Sequence, residues 1–155
     1  MLDETPSELP SPTLPLKGRE LRGNAQTFML PSKMRDALVE IFGVTPDVID
    51  HIRIVEQSRF ARLHGHRVAA TTRRNVIYVA GSAKRFIADP ELVLHEYFHV
   101  LHQWNTGALT TWRYVRESMR RGYRDNRYEV EARAFTRQHI LAFAARLQSI
   151  DHATK

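Results

Sequence analysis

His95, Glu96 and His99 form the pattern H-E-x-x-H within LVLHEYFHVLHQW, residues 92–104. On a helix, residues four apart lie on one face, so the two imidazoles can reach a single ion. Zinc accepts histidine nitrogen at about 2.0–2.1 Å, and that spacing allows both bonds at once. Glu96 lies beside the pair, where a carboxylate can take a proton from water activated by the ion. The expectation is a Zn²⁺ site with His95 and His99 as ligands and Glu96 as general base. The competing reading is an amphipathic helix carrying two hydrogen-bonded histidines. The flanks weigh against it: Leu92, Val93, Leu94, Phe98, Val100 and Leu101 surround the pattern, so the helix should be buried. Buried polar groups need partners, and an ion with its water supplies them.

The helix itself is well marked. Asp89 is a good N-cap, Pro90 suits the first position, and Glu91 places negative charge in the first turn. Its end is expected near Asn105-Thr106-Gly107, with Gly107 taking the left-handed conformation.

A catalytic zinc commonly has three protein ligands and one open position. A third histidine six residues after His99 is ruled out, because that position is Asn105. His102, one turn beyond His99, reads as a packed histidine, since a fourth protein ligand would close the site to water. A downstream helix beginning YEVEARAF offers Glu129 and Glu131. They point about 200° apart, so only one can face the ion. The apolar side of that helix is set by Ala132, Phe135, Ile140, Phe143 and Leu147, and Glu129 lies nearer its centre. Glu129 is therefore preferred over Glu131, against the alternative that both pair on the surface with Arg133 or Arg137.

The rest of the chain must hold these helices together. Its 155 residues, 43% apolar, suit one domain with a modest core. Residues 1–24, with Pro6, Pro10, Pro12 and Pro15, read as a disordered arm able to dock a protein partner. Residues 25–155 read as the folded domain. A helix is expected from Ser32 to Phe42, closed by Gly43, and a strand from His51 to Glu56. A short helix is expected from Ser58 to His64. Paired strands at Arg67–Thr71 and Asn75–Ala80 should join through Thr72-Arg73-Arg74, and Gly81 to Ala88 reads as a loop. A helix capped by Thr110 or Thr111 should run to Arg121, with a last one from about Arg127 to Ser149. The fold class is α+β: a small mixed or antiparallel sheet on the H-E-x-x-H helix, followed by C-terminal helices.

Composition excludes several classes. With no cysteine, neither a disulfide framework nor a thiolate metal site can form. No apolar run approaches the roughly 18 residues of a membrane span. No secretory leader is evident, so the expected location is the cytoplasm, or export without an N-terminal signal. A net charge of +6 permits a nucleic-acid partner. Arg113, Arg116, Arg120, Arg124 and Arg127 have roughly helical spacing, but few aromatics interleave them, and a solvated basic face is preferred.

The pairing of H-E-x-x-H with a later E-x-x-A resembles the gluzincin group of zinc metallopeptidases. From Phe42 to His102, the run FGV, IRIV, NVIYVA and LHEYFHVLHQ is similar to the zincin-like core domain found beside extracellular contractile injection systems and polymorphic toxins. The resemblance implies a zincin-like metallopeptidase fold acting on peptide or protein, with NVIYVA near the cleft. One position departs from it. Gluzincins often carry Asp after the Ala of E-x-x-A, accepting a hydrogen bond from a ligand histidine. Here that residue is Arg133, which cannot accept one. Glu117, Asp125, Asn126 or a backbone carbonyl is expected to substitute. The oxyanion of peptide hydrolysis needs a further donor, for which Tyr114, Tyr123, Tyr128 and His139 are candidates. The alternative function is a non-catalytic zincin-like module that binds a partner.

Overall fold

Met34, Ala37 and Leu38 fall on one buried face of α1 (Ser32–Phe42) in the computed structural model, which describes residues 28–58 and 70–149. The N-terminal arm, nearly all of the helix expected at Ser58–His64, and the first residues of the strand expected from Arg67 lie outside these residues. α1 ends at Gly43, whose φ of 63° is left-handed, and Val44 donates back to the Val39 carbonyl. A second helix, α2 (Pro46–Asp50), was not expected. Thr45 is extended, and Pro46 occupies the first position, where a missing N–H costs no hydrogen bond.

Three short strands follow: β1 (Arg53–Val55), β2 (Ala70–Arg73) and β3 (Val76–Val79). β3 lies in the middle, parallel to β1 and antiparallel to β2, so the sheet is mixed. Val76, Ile77 and Val79 are all buried, as befits a central strand covered on both faces. The β2–β3 turn falls one residue later than expected, at Arg74-Asn75. Asn75 takes a φ of 57°, which its short polar side chain tolerates.

The segment Gly81 to Ala88 is not a loop throughout, because Ala83–Ile87 forms α3. Five residues are too few to display a helical period in sequence. The helix is set instead by its caps. Ser82 Oγ accepts from the Arg85 N–H at 3.3 Å, and the Glu56 carboxylate accepts from the Ala83 N–H.

α4 (Pro90–Phe98) begins as expected, with Asp89 Oδ1 accepting from the Leu92 N–H at 3.1 Å. From His99 to Trp104 the helix widens into a π turn, and the Asn105 N–H bonds the Val100 carbonyl five residues back. Single π turns of this kind occur frequently at functional sites. α5 (Thr111–Arg121) is capped by Thr110, and α6 (Arg127–Ser149) runs alongside α4. No helix among the described residues is long and apolar enough to cross a membrane.

The core joins Leu38 of α1, Ile54, Ile77 and Val79 of the sheet, Val93, Leu94 and Tyr97 of α4, and Phe143 of α6. α4 is thus clamped between sheet and α6. The Tyr97 hydroxyl is buried without a hydrogen-bond partner among the described residues. An unpaired buried polar group costs about 1–3 kcal/mol. Tyr97→Phe is expected to hold or raise the melting temperature, and a fall of several degrees would show that the hydroxyl has a partner.

Candidate metal centre

α4 delivers His95 and Glu96, the first residue of the π turn is His99, and the first turn of α6 delivers Glu129. Glu129 shares the buried face of α6 with Ala132, Thr136 and Phe143, whereas Glu131 is exposed. His95 Nε2 lies 3.1 Å from His99 Nε2 and 3.2 Å from Glu129 Oε2, and His99 Nε2 lies 3.6 Å from Glu129 Oε1. These three residues form a group able to hold a metal ion. Around a tetrahedral zinc with bonds of about 2.0–2.1 Å, neighbouring ligand atoms stand roughly 3.3–3.4 Å apart. The observed separations bracket that figure, and nitrogen with carboxylate oxygen is a donor set that zinc accepts, so the residues fit the ion.

The electrostatics couple the three residues and Glu96. Burial alone would raise the Glu129 pKa, but the hydrogen bond with His95 and the nearby His99 ring outweigh it and hold the carboxyl well below the usual range. Burial alone would lower the His99 pKa, but Glu129 and Glu96 outweigh it and leave the pKa raised. In Glu96, burial dominates and raises the pKa despite the nearby histidines. Negative charge is therefore concentrated on Glu129, beside His95 and His99.

A cleft of about 180 Å³ opens onto this group. It is lined by Ala70 to Arg73 of β2, by Glu96, and by Trp104, Leu109 and Val115. Of the four proposed donors, the structure brings two to this cleft. Tyr114 donates to Glu129 Oε1 at 2.9 Å, and Tyr123 lines the wall although more than half exposed. Burial and the neighbouring carboxylates raise both phenol pKa values, so both hydroxyls keep their protons. The other two lie elsewhere. Tyr128 donates to the Ala108 carbonyl and accepts from Arg127, and His139 packs on Phe135. His102 stacks on Phe98 with ring centroids 5.0 Å apart and takes no part in the group.

The acceptor behind His99 is none of those expected. Glu117 pairs with Arg121, and Asn126 caps α6 by accepting from the Tyr128 N–H while donating to Ser118. Asp125 is exposed, and Arg133 donates to the Arg124 carbonyl. Instead Gln103 Oε1 meets His99 Nδ1 at 2.7 Å. Sequence spacing allows this contact, since Gln103 stands four residues after His99, but does not single it out. Glu131 is exposed, as expected, and also accepts from Gln103 Nε2 at 3.1 Å, a contact not anticipated. Arg113 donates to the Gly107 and Ala108 carbonyls, and Arg127 lies over the Tyr128 ring, so part of the basic row is committed within the protein. No protein-family model matches the chain, and neither a curated protein nor a solved structure matches it.

Proposed function

We propose that the chain is a zinc-dependent metallopeptidase of zincin-like, gluzincin type, with His95, His99 and Glu129 as metal ligands and Glu96 as general base. The observation that supports this most is the convergence of the three side chains from two helices, at separations suited to one ion, at the base of an open cleft. When bound, zinc supplies Lewis acidity, bringing the pKa of a water to about 7 and polarising a carbonyl. The chain's residues supply the rest. Glu96, buried at the cleft floor, takes the proton from the attacking water and returns it to the leaving amine. The Tyr114 and Tyr123 hydroxyls donate to the oxygen on which charge develops. β2, one of the two outer strands of the sheet among the described residues, runs along the cleft, where an extended peptide can pair with its backbone.

Purified protein supplied with zinc should hold about one equivalent per chain and hydrolyse casein or a peptide library. Hydrolysis should stop on chelation and return with zinc. Zinc well below one equivalent, or hydrolysis indifferent to chelation, would overturn the reading. A bound equivalent without hydrolysis of any peptide would favour the non-catalytic module instead. Tyr114→Phe should lower turnover by about 100-fold, the scale of losing one oxyanion donor. Its zinc affinity should fall by no more than about 10- to 100-fold, the range for losing an outer partner of a ligand, since the hydroxyl touches Glu129 without being a ligand itself.

A further inference from the structure

We propose that Gln103 is a positioning residue that holds a hydrogen on His99 Nδ1, so that the neutral ring adopts the Nδ1–H tautomer with its Nε2 lone pair on the side of Glu129 and His95. The side-chain amide of Gln103 is buried and sits among three partners. Its Nε2 lies 3.0 Å from the Tyr128 carbonyl and 3.1 Å from Glu131 Oε2, and its Oε1 lies 2.7 Å from His99 Nδ1.

Hydrogen counting decides which way the amide points. Tyr128 O and the Glu131 carboxylate are acceptors only, and the amide nitrogen carries two hydrogens, one for each. The reversed amide would set its oxygen against both of these oxygens with no hydrogen between them. With the nitrogen fixed there, the amide oxygen must face His99, and it can only accept. His99 Nδ1 therefore carries the hydrogen, and in the neutral ring Nε2 is left with its lone pair. A neutral histidine in free solution favours the opposite tautomer, so the protein imposes this one.

The neighbouring contact can be met in this tautomer. With a lone pair on His99 Nε2, the 3.1 Å approach of His95 Nε2 calls for a hydrogen on His95, which also points toward Glu129. The π turn has a part in this geometry. A turn wider than α places the fourth residue onward more nearly above the first, which puts Gln103 over His99. α6 supplies the anchors, so the same helix that presents Glu129 also orients the opposite ligand.

The tautomer assignment stands on the metal-free hydrogen bonds, while its consequence for zinc rests on the proposed metal centre. The test is long-range ¹H–¹⁵N correlation on metal-free protein, at a pH alkaline enough to leave His99 neutral. The expected His99 pattern is a protonated Nδ1 and an unprotonated Nε2. The opposite pattern in the parent protein would overturn the proposal without any variant. Gln103→Leu should release the tautomer and lower zinc affinity by about 10- to 100-fold, the range for losing an outer partner of a ligand histidine. An unchanged tautomer in folded Gln103→Leu would also overturn it. The locked pattern in a protein that takes up no zinc would support the lock and count against the metal centre.

Discussion

Glu96→Gln is expected to retain its zinc and lose hydrolysis by about 10²- to 10⁴-fold, the range attributable to a positioned general base. The substitution keeps the size and planarity of the side chain, and Glu96 is not among the three converging residues. Ligand geometry should therefore survive. What is lost is basicity, because an amide does not accept a proton at neutral pH. The fold should tolerate the change. Burial raises the folded-state pKa of Glu96, so any stability it confers is full below the ordinary carboxylate pKa and is lost as pH rises through the raised value. At neutral pH its charge is no asset to the metal-free protein, and the neutral amide should not lower the melting temperature. Zinc content, thermal unfolding and hydrolysis measured on one preparation check all three statements. Parental activity in a zinc-loaded Glu96→Gln protein would remove Glu96 from its role.

The parts of this site legible in sequence are those fixed by local rules. Asp89-Pro90 announced the start of α4 because an N-cap and a first-position proline act within one turn. Gly43 marked the end of α1 because its left-handed φ disfavours other residues. That Glu129 rather than Glu131 lies on the buried face was legible because α6 is 23 residues long. Over that length, several apolar positions define the buried face, and single exceptions do not move it.

What was not legible depends on contacts distant in sequence. The widening at His99 follows no residue pattern, and α3 is too short to have one. Gln103 stands 25 residues from Tyr128 and 28 from Glu131, so its role emerges only when α6 packs beside α4. Helical phase told where Glu131 points but not what it touches. A departure that looked damaging in sequence, Arg133 in place of an acceptor, is met for His99 by Gln103, a residue one turn further along the same helix.

Glu129→Gln should lower zinc affinity by more than about 100-fold, beyond the 10- to 100-fold range for losing an outer partner of a ligand. A neutral amide oxygen is a poor substitute for a carboxylate on Zn²⁺, and the change also removes the negative charge that offsets the ion. Zinc bound only to the folded chain adds to its stability by mass action. At fixed free zinc above saturation, a 100-fold loss of affinity removes about 2.7 kcal/mol from the holo-protein. Glu131→Gln removes the same charge from the same turn of α6 and serves as the control. Glu131 is exposed, and its contact is a hydrogen bond accepted from Gln103. The new amide oxygen can still accept that bond, so zinc affinity should change by less than about 10-fold, below the range for an outer partner. Competition with a chromophoric chelator measures both affinities, and unfolding with and without zinc separates metal effects from those on the bare fold. If Glu131→Gln proves the weak binder and Glu129→Gln does not, the ligand assignment on α6 is wrong. If neither variant changes affinity, the third ligand comes from elsewhere in the chain, and the convergence of Glu129 on His95 and His99 is an ion pair that serves the metal-free fold alone.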